Sequence, residues 1–468
     1  MKPDCAPDIV VVGGGLAGCE AAWQLAHRGF RVRLFEMRPF IQTPAHSTAQ
    51  LAEIVCSNSF GGEGETGAPG ILKAELELGG SLILQCAHVS RVPAGRALAV
   101  DRERFSELVS AHVESHPRIE VLREEMTRLP DSDSKTPLVI ATGPLTSFAM
   151  AESLQAFVGG NYLSFFDAAA PIVTWESIDM EKAYAAGRYG QDDDYINCPM
   201  NREEYGLFYE ALVKAERVVP HSFERGMRFE KDAYFEGCMP VEVLASRGMD
   251  TLRFGPMKPV GLPDPRTGRE PYAVAQLRRD NREGTLYNLV GFQTGLKWGE
   301  QSHLIHLIPG LENAEIARFG VMHRNIYVNA PVVLDCHLRL KKLGKESENK
   351  ANKALENRDI FLAGQLAGVE GYMESTAMGL VAGVNAARLL AGGPLLHWPR
   401  ETAIGSLLTY LQNAETGKKT FQPMNVNLGI FPSLPQNMRD KKQKARAVYS
   451  RAIAATQAFW GGTPYATI

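Results

Sequence analysis

The glycine run Gly13-Gly14-Gly15-Leu16-Ala17-Gly18 and the acid Glu36 have the types and spacing to hold a dinucleotide. The run reads G-x-G-x-x-G. Gly13 permits a tight turn, Gly15 lets the backbone approach a pyrophosphate, and Gly18 lets a helix pack close to its strand. Gly14, Leu16 and Ala17 complete a helix start whose unpaired N–H groups and positive dipole end suit phosphate. Glu36 lies 18 residues after Gly18. A carboxylate there accepts from both ribose hydroxyls of an adenosine and repels a 2′-phosphate, which disfavours NADP at this position. A ligand-free turn and an S-adenosylmethionine site share parts of the pattern, and the motif alone does not separate FAD from NAD.

Two later segments favour FAD. Ala141-Thr142-Gly143 ends a strand in a glycine turn, the close backbone pass that two-dinucleotide flavoproteins make near the adenine half. Leu362-Ala363-Gly364-Gln365 ends a strand before a helix, where backbone N–H groups and a helix start can meet the flavin and stabilise negative charge on it.

The second chemical resource is thiol. Seven cysteines stand at positions 5, 19, 56, 86, 198, 238 and 336. No C-x-x-C occurs, which removes a flavin disulfide reductase pair and a zinc ribbon, and no metal site is expected. Single cysteines are most often small buried hydrophobes. That reading is kept for Cys5, Cys19, Cys86 and Cys336, and Cys198 is read as structural.

The elements that must position these groups follow from periodicity. Asp8 to Val12 reads as a buried strand, Leu16 to His27 as a helix and Arg31 to Glu36 as a second strand, one βαβ unit of a parallel sheet. Residues 101 to 116 read as a helix capped by Asp101, followed by strands at Ile119–Leu122 and Leu138–Ala141. The middle, 151–329, lacks βαβ alternation and reads as an inserted α+β domain. Alternation returns at Asp359, with a small-residue helix from about Ser375 to Leu390 and a basic C-terminal helix over 439–455. The expectation is an α/β fold: a discontinuous Rossmann-like FAD domain, 1–150 plus 330–468, with the insertion between. Lys341 to Asn352 reads as a solvated charged segment.

Bulk composition narrows the class. The 468 residues are 45% hydrophobic and 22% charged, ordinary for a globular chain, and the net charge of −3 argues against a uniformly basic nucleic-acid coat. No long apolar run suggests a membrane span, and no secretory leader is recognisable, so a cytoplasmic protein without an obligate protein partner is expected.

The chain resembles the folate- and FAD-dependent tRNA (uracil-54-C5)-methyltransferases of bacteria. The resemblance is carried by Ile9 to Gly18, Ala52 to Ser59, Gly70 to Glu75, Phe166 to Pro171, Tyr195 to Met200, Phe235 to Pro240, Gly364 to Gly379 and Gln422 to Asn425. It implies methylation of uridine 54 in the tRNA T-loop. Methylenetetrahydrofolate is the implied carbon donor, reduced FAD the implied reductant, and NADH or NADPH the source of its electrons. Such chemistry needs a thiolate to add at carbon 6 of uracil, a base to take the proton from carbon 5, and a hydride source. By the same resemblance Cys238 is the expected nucleophile and Cys56 the expected base.

Ser57, Asn58 and Ser59 are expected to hydrogen-bond the Cys56 thiolate, and Arg225 and Arg228 to favour that of Cys238. Trp298, Glu370 and Tyr372 are the expected folate contacts, and Arg91, Arg96, Arg278, Arg279, Arg282 and 439–446 the basic groups for tRNA phosphates. The competing readings are a small-molecule flavin oxidoreductase, a non-enzymatic RNA-binding flavoprotein, and the wobble-uridine modification family. The last carries a longer C-terminal extension than this chain has room for.

Overall fold

The computed structural model describes residues 6–43, 45–129, 136–158, 162–218, 239–341, 358–413, 421–435 and 438–462. Cys5, Cys238, Arg225, Arg228 and the charged segment after Lys341 lie outside the described residues.

The apolar runs form a five-stranded parallel sheet in the order Ile360–Leu362, Leu138–Ile140, Ile9–Val12, Val32–Phe35, Ile119–Leu122. Ile9–Val12, Leu138–Ile140 and Ile360–Leu362 are buried on both faces, which explains why they lack the alternation of a one-sided strand. Because all five strands run the same way, the turns after Val12, Phe35, Ile140 and Leu362 emerge at one end. That end is where open α/β sheets take ligands.

Two helices cross tightly over this sheet. Leu16–His27 packs on Tyr372–Leu390 through small residues. A Cβ at Gly379 would stand 2.3 Å from the Ala17 carbonyl oxygen, and one at Gly383 2.8 Å from that of Ala21. The helix Arg102–Ser115 is capped by the Asp101 carboxylate, which accepts from the Arg104 amide. The helix Ala403–Asn413 begins on the Glu75 carboxylate, which accepts from the amides of Ala403 and Ile404 at 2.6 and 3.0 Å. The C-terminal helix spans Lys441–Gly461.

The middle of the chain builds a different sheet. Its six antiparallel strands run Tyr184–Ala185, Tyr195–Met200, Ala273–Arg279, Leu286–Leu289, Ile172–Thr174, Ile316–Arg318. Apolar residues from Val173 to Ala314 form their own buried cluster beneath it. The helix Phe148–Val158 contributes Met150, Leu154 and Val158 to the parallel-sheet core instead, as do Tyr327 and Val328 on the return. Core membership therefore changes after Val158 and again before Tyr327. The antiparallel ribbon Tyr162–Ala168 with Met322–Val328 carries the chain out and back. Among the described residues no helix is long and apolar enough to cross a membrane.

Gly379→Ala should lower the urea midpoint, at a net cost of about 1–3 kcal/mol, because the gain in helix propensity is smaller than the cost of separating two packed backbones. An unchanged midpoint would mean that the two helices are not held this close.

Candidate functional site

One cavity opens at the carboxyl end of the parallel sheet. It is lined by Gly13 to Ala17, Glu36 to Arg38, Cys56, Ser57, Ala141 to Ser147, Gln293, Gly364, Gln365 and Glu370 to Tyr372. Three strand-end turns thus face one space, with the Cys56 loop along its wall.

At the glycine end, Gly13 takes φ +100°, and a Cβ there would lie 2.5 Å from the Ala141 carbonyl oxygen. At Gly18 a Cβ would meet the Gly13 carbonyl oxygen at 1.8 Å. At Gly15 it would meet nothing within 4 Å, which leaves a cradle open to a ligand. These are the tight turn, the close packing and the bare approach that a dinucleotide site requires. Glu36, nearly buried, accepts from the Gly14 amide at 2.8 Å through one oxygen. Its other oxygen accepts from the Arg38 amide at 3.0 Å and from Arg38 Nε at 2.8 Å. Each oxygen retains acceptor capacity for a ribose hydroxyl. Burial pushes this carboxyl up, but the Arg38 guanidinium and the two amides hold it below its ordinary value. Arg38, 2% exposed, also bonds Glu53 at 2.9 Å, and Glu53 in turn accepts from Ser47 and Thr48.

At the far end Gly364 takes φ +73°, with Ala17 2.9 Å from the position of a Cβ. Glu370 is buried and its carboxylate accepts from the Gln365 side-chain amide. Tyr372 opens the long helix, and its hydroxyl accepts from the Cys56 amide at 3.0 Å. Behind it, burial pushes the Glu374 carboxyl up to about 7 and the Lys73 ammonium down to about 8.

The Cys56 loop is clamped between the two sheets. Arg102, its side chain 12% exposed, donates to the carbonyls of Ile54 at 2.7 Å and Cys56 at 2.6 Å, and pairs with Asp280 at 2.9 Å. Arg278 donates to Asn58 Oδ1 and Ser57 Oγ, each at 3.0 Å. Asn58 donates to the carbonyls of Val100 and Arg279, both at 3.0 Å. Arg278 lies in the six-stranded antiparallel sheet and Asp280 directly follows its strand, while Val100 ends the strand Ala97–Val100 and Arg102 starts the helix Arg102–Ser115.

The structure brings Gly13 to Ala17, Glu36, Gly143, Gly364, Gln365, Glu370, Tyr372 and Cys56 to one cavity. Gly18 stands behind its wall. Three expectations are corrected. Trp298 is not brought there: it starts the helix Trp298–His306, is 62% exposed, and stacks on Phe319 with centroids 5.2 Å apart. Arg278 is not a phosphate-facing surface residue; it is buried under the Cys56 loop, because its strand is covered on both faces. Asn58, fully buried, spends its donors on backbone carbonyls and does not serve the thiol. Sequence reading missed Arg38, Arg102 and Asp280. Arg102 follows a helix cap, where an exposed charge is the ordinary expectation, so no local signal marked it.

The comparisons with known proteins agree among themselves. A family model described as glucose inhibited division protein A matches residues 8–394. The chain is 54% identical over 446 residues to the methylenetetrahydrofolate--tRNA-(uracil-5-)-methyltransferase TrmFO of Moorella thermoacetica, covering 95% of this chain and 96% of that protein. It is 52% identical over 454 residues to the enzyme of the same name from Thermus thermophilus, covering 97% and 96%. Among solved structures, GidA of Aquifex aeolicus in its form I crystal superposes with a TM-score of 0.66 at 16% identity, over 97% of this chain and 76% of that one. That likeness supports the fold.

Arg102→Ala should cost about 3–5 kcal/mol in chemical denaturation, since it strands a buried Asp280 carboxylate and two carbonyls. Arg102→Ala with Asp280→Ala should recover part of that loss in a double-mutant cycle; strict additivity would show that the pair is not coupled. The Glu36 carboxyl is lower in the folded chain than its ordinary 4.5. The sign is that of a depressed acid: its stabilisation is present above about 4.5 and is lost as pH falls through the folded value. The stability difference between the wild type and Glu36→Gln should therefore be flat above that pH and shrink below it, as read from denaturation at a series of pH values.

Proposed function

Because the chain belongs to the glucose inhibited division protein A family and, within it, to the methylenetetrahydrofolate--tRNA-(uracil-5-)-methyltransferases, we propose that it methylates carbon 5 of uridine 54 in the T-loop of cytoplasmic tRNA. The supporting observation is that Cys56 shares one cavity with the glycine cradle and the Gly364–Tyr372 junction. Methylenetetrahydrofolate is the carbon donor and tRNA the acceptor. The cavity's residues fit FAD: the bare Gly15, the Glu36 carboxylate and the second strand-end turn at Gly364 suit the two ends of a long dinucleotide. Bound there in reduced form and reloaded by NADH or NADPH, the flavin supplies the electrons that convert a methylene to a methyl group.

The chain's own residues do the rest. Gly15 presents its backbone amide to phosphate, and Glu36, held by the Gly14 amide and by Arg38, accepts from ribose. Gln365 and the Gly364 turn receive the other end, with Gly143 lining the span between. Cys238, outside the described residues, adds its thiolate to carbon 6 of uracil, which makes carbon 5 nucleophilic toward the methylene group. Cys56 takes the proton from carbon 5. Its backbone is pinned at both peptide groups, by Tyr372 through the amide and by Arg102 through the carbonyl, so its side chain projects from a fixed point. The Tyr372 ring and the Glu370 carboxylate are the folate contacts this cavity offers; Trp298 is dropped from that role. For tRNA, Arg91, Arg96, Arg279, Arg282 and the exposed Arg439, Lys441, Lys442, Lys444 and Arg446 remain as phosphate contacts, while Arg278 does not.

Incubating the chain with unmodified tRNA, methylenetetrahydrofolate and reduced nicotinamide should yield 5-methyluridine in the T-loop. Cys56→Ala and Cys238→Ala should each lower product by at least about 100-fold, the scale of a lost acid–base or nucleophilic group. Cys238→Ala alone should also lose the covalent adduct with 5-fluorouridine RNA. An adduct that survives Cys238→Ala would remove the nucleophile assignment, and product absent from the wild type would remove the function.

A further inference from the structure

A second group of reactive side chains lies outside the cavity and is used by no step above. Cys336, read from the sequence as a small buried hydrophobe, is only half-buried and stands beside two imidazoles. Its Sγ lies over the His337 ring, 3.6 Å from Nδ1 and 3.7 Å from Nε2, and 3.7 Å from His397 Nδ1, while His337 Nε2 is 3.3 Å from His397 Nε2. The geometry points to a zinc site formed by Cys336, His337 and His397. With one donor atom taken from each residue the three lie within 4.8 Å of one another, so rotation of the Cys336 and His397 side chains would bring them to the about 3.3 Å between nitrogens and about 3.6 Å between sulfur and nitrogen of a tetrahedral Zn²⁺. One thiolate and two imidazoles are a donor set that zinc favours over magnesium or calcium. The expectation of no metal site came from the absence of a C-x-x-C pattern. It missed this cluster because His397 is 60 residues from His337 in the chain.

Both halves of the site are held in place before any ion arrives. The turn carrying Cys336 and His337 is closed by the Asp335 amide donating to the Arg339 carbonyl at 2.8 Å. The Asp335 carboxylate accepts from the amides of His337 and Arg339, each at 2.9 Å. Its other oxygen lies 3.6 Å from His337 Nδ1, on the side of the ring away from His397. A carboxylate behind a liganding histidine orients the ring and strengthens its basicity, leaving Nε2 to the metal. On the other side, the connector carrying His397 is fixed by Asn385, which accepts from the Leu396 amide at 2.8 Å, and by Trp398 against Phe459. His397 is exposed, which leaves the fourth position to water and gives the ion a way in. Bound zinc would tie this connector to the turn that pairs with the edge strand Ile360–Leu362, through the Leu362 amide and the Leu338 carbonyl.

The test uses the full chain, stripped of metal with a chelator and kept reduced. Titration with Zn²⁺ against a chromophoric competitor should show one tight equivalent, and Zn²⁺ should raise the thermal midpoint. Co²⁺ in its place should give the intense visible bands of a tetrahedral ion and a thiolate charge-transfer band. Cys336→Ser should abolish the charge-transfer band. His397→Ala, a change at an exposed side chain, should weaken Zn²⁺ binding by at least about 10-fold and remove the thermal shift. The inference is overturned if the wild type takes up no Zn²⁺, if the charge-transfer band survives Cys336→Ser, or if His397→Ala binds as tightly as the wild type.

Discussion

The buried pair of Arg102 and Asp280 is the contact on which the site's geometry depends. A guanidinium removed from water costs several kcal/mol unless its donors are matched, and here they are matched by a carboxylate from one sheet and two carbonyls from the loop beside the other. The arrangement fixes three things together: the helix that starts at Arg102, the strand end at Asp280 and the backbone of Cys56. Neither sheet alone could hold that loop. A thiol that must act on a substrate beside a cofactor needs such over-determined placement, because errors of an ångström are costly in rate.

The same logic appears at the adenosine end. Glu36 is presented by its strand but aimed by Arg38, and Arg38 is held by Glu53, whose carboxylate gathers Ser47 and Thr48. A buried arginine between two carboxylates keeps the acid ionised where burial alone would favour its neutral form. Charge at the dinucleotide end and position at the thiol end are therefore both set by arginines largely withdrawn from solvent. Glycine does the complementary work: Gly18, Gly379 and Gly383 let two helices and a turn approach so closely that the three strand-end turns share one cavity.

The parallel-sheet part of the fold was legible because its signals are local. Short runs of Val and Ile between glycine turns mark doubly covered strands, and the G-x-G-x-x-G with its acid marks where the ligand meets them. Asp101 was legible as a cap, since an acid before a helical pattern has a local job. Arg278 was misread for an equally physical reason. Within Gln276-Leu277-Arg278-Arg279 nothing distinguishes an arginine under a loop from one facing water, and only the partner Asn58, 220 residues away, makes the difference.

By itself the sequence determined the order of strands and turns, the dinucleotide motif and the family resemblance, because each depends on neighbours along the chain or on a match over its length. Tertiary structure alone decided which of those residues meet. It brought Cys56, Glu370 and Tyr372 to the glycine cradle, left Trp298 outside, buried Arg278, and set Cys336 and His337 beside His397. Contacts of that kind depend on how two sheets and their connectors pack, and packing is a property of surfaces assembled from distant segments, which spacing along the chain does not encode.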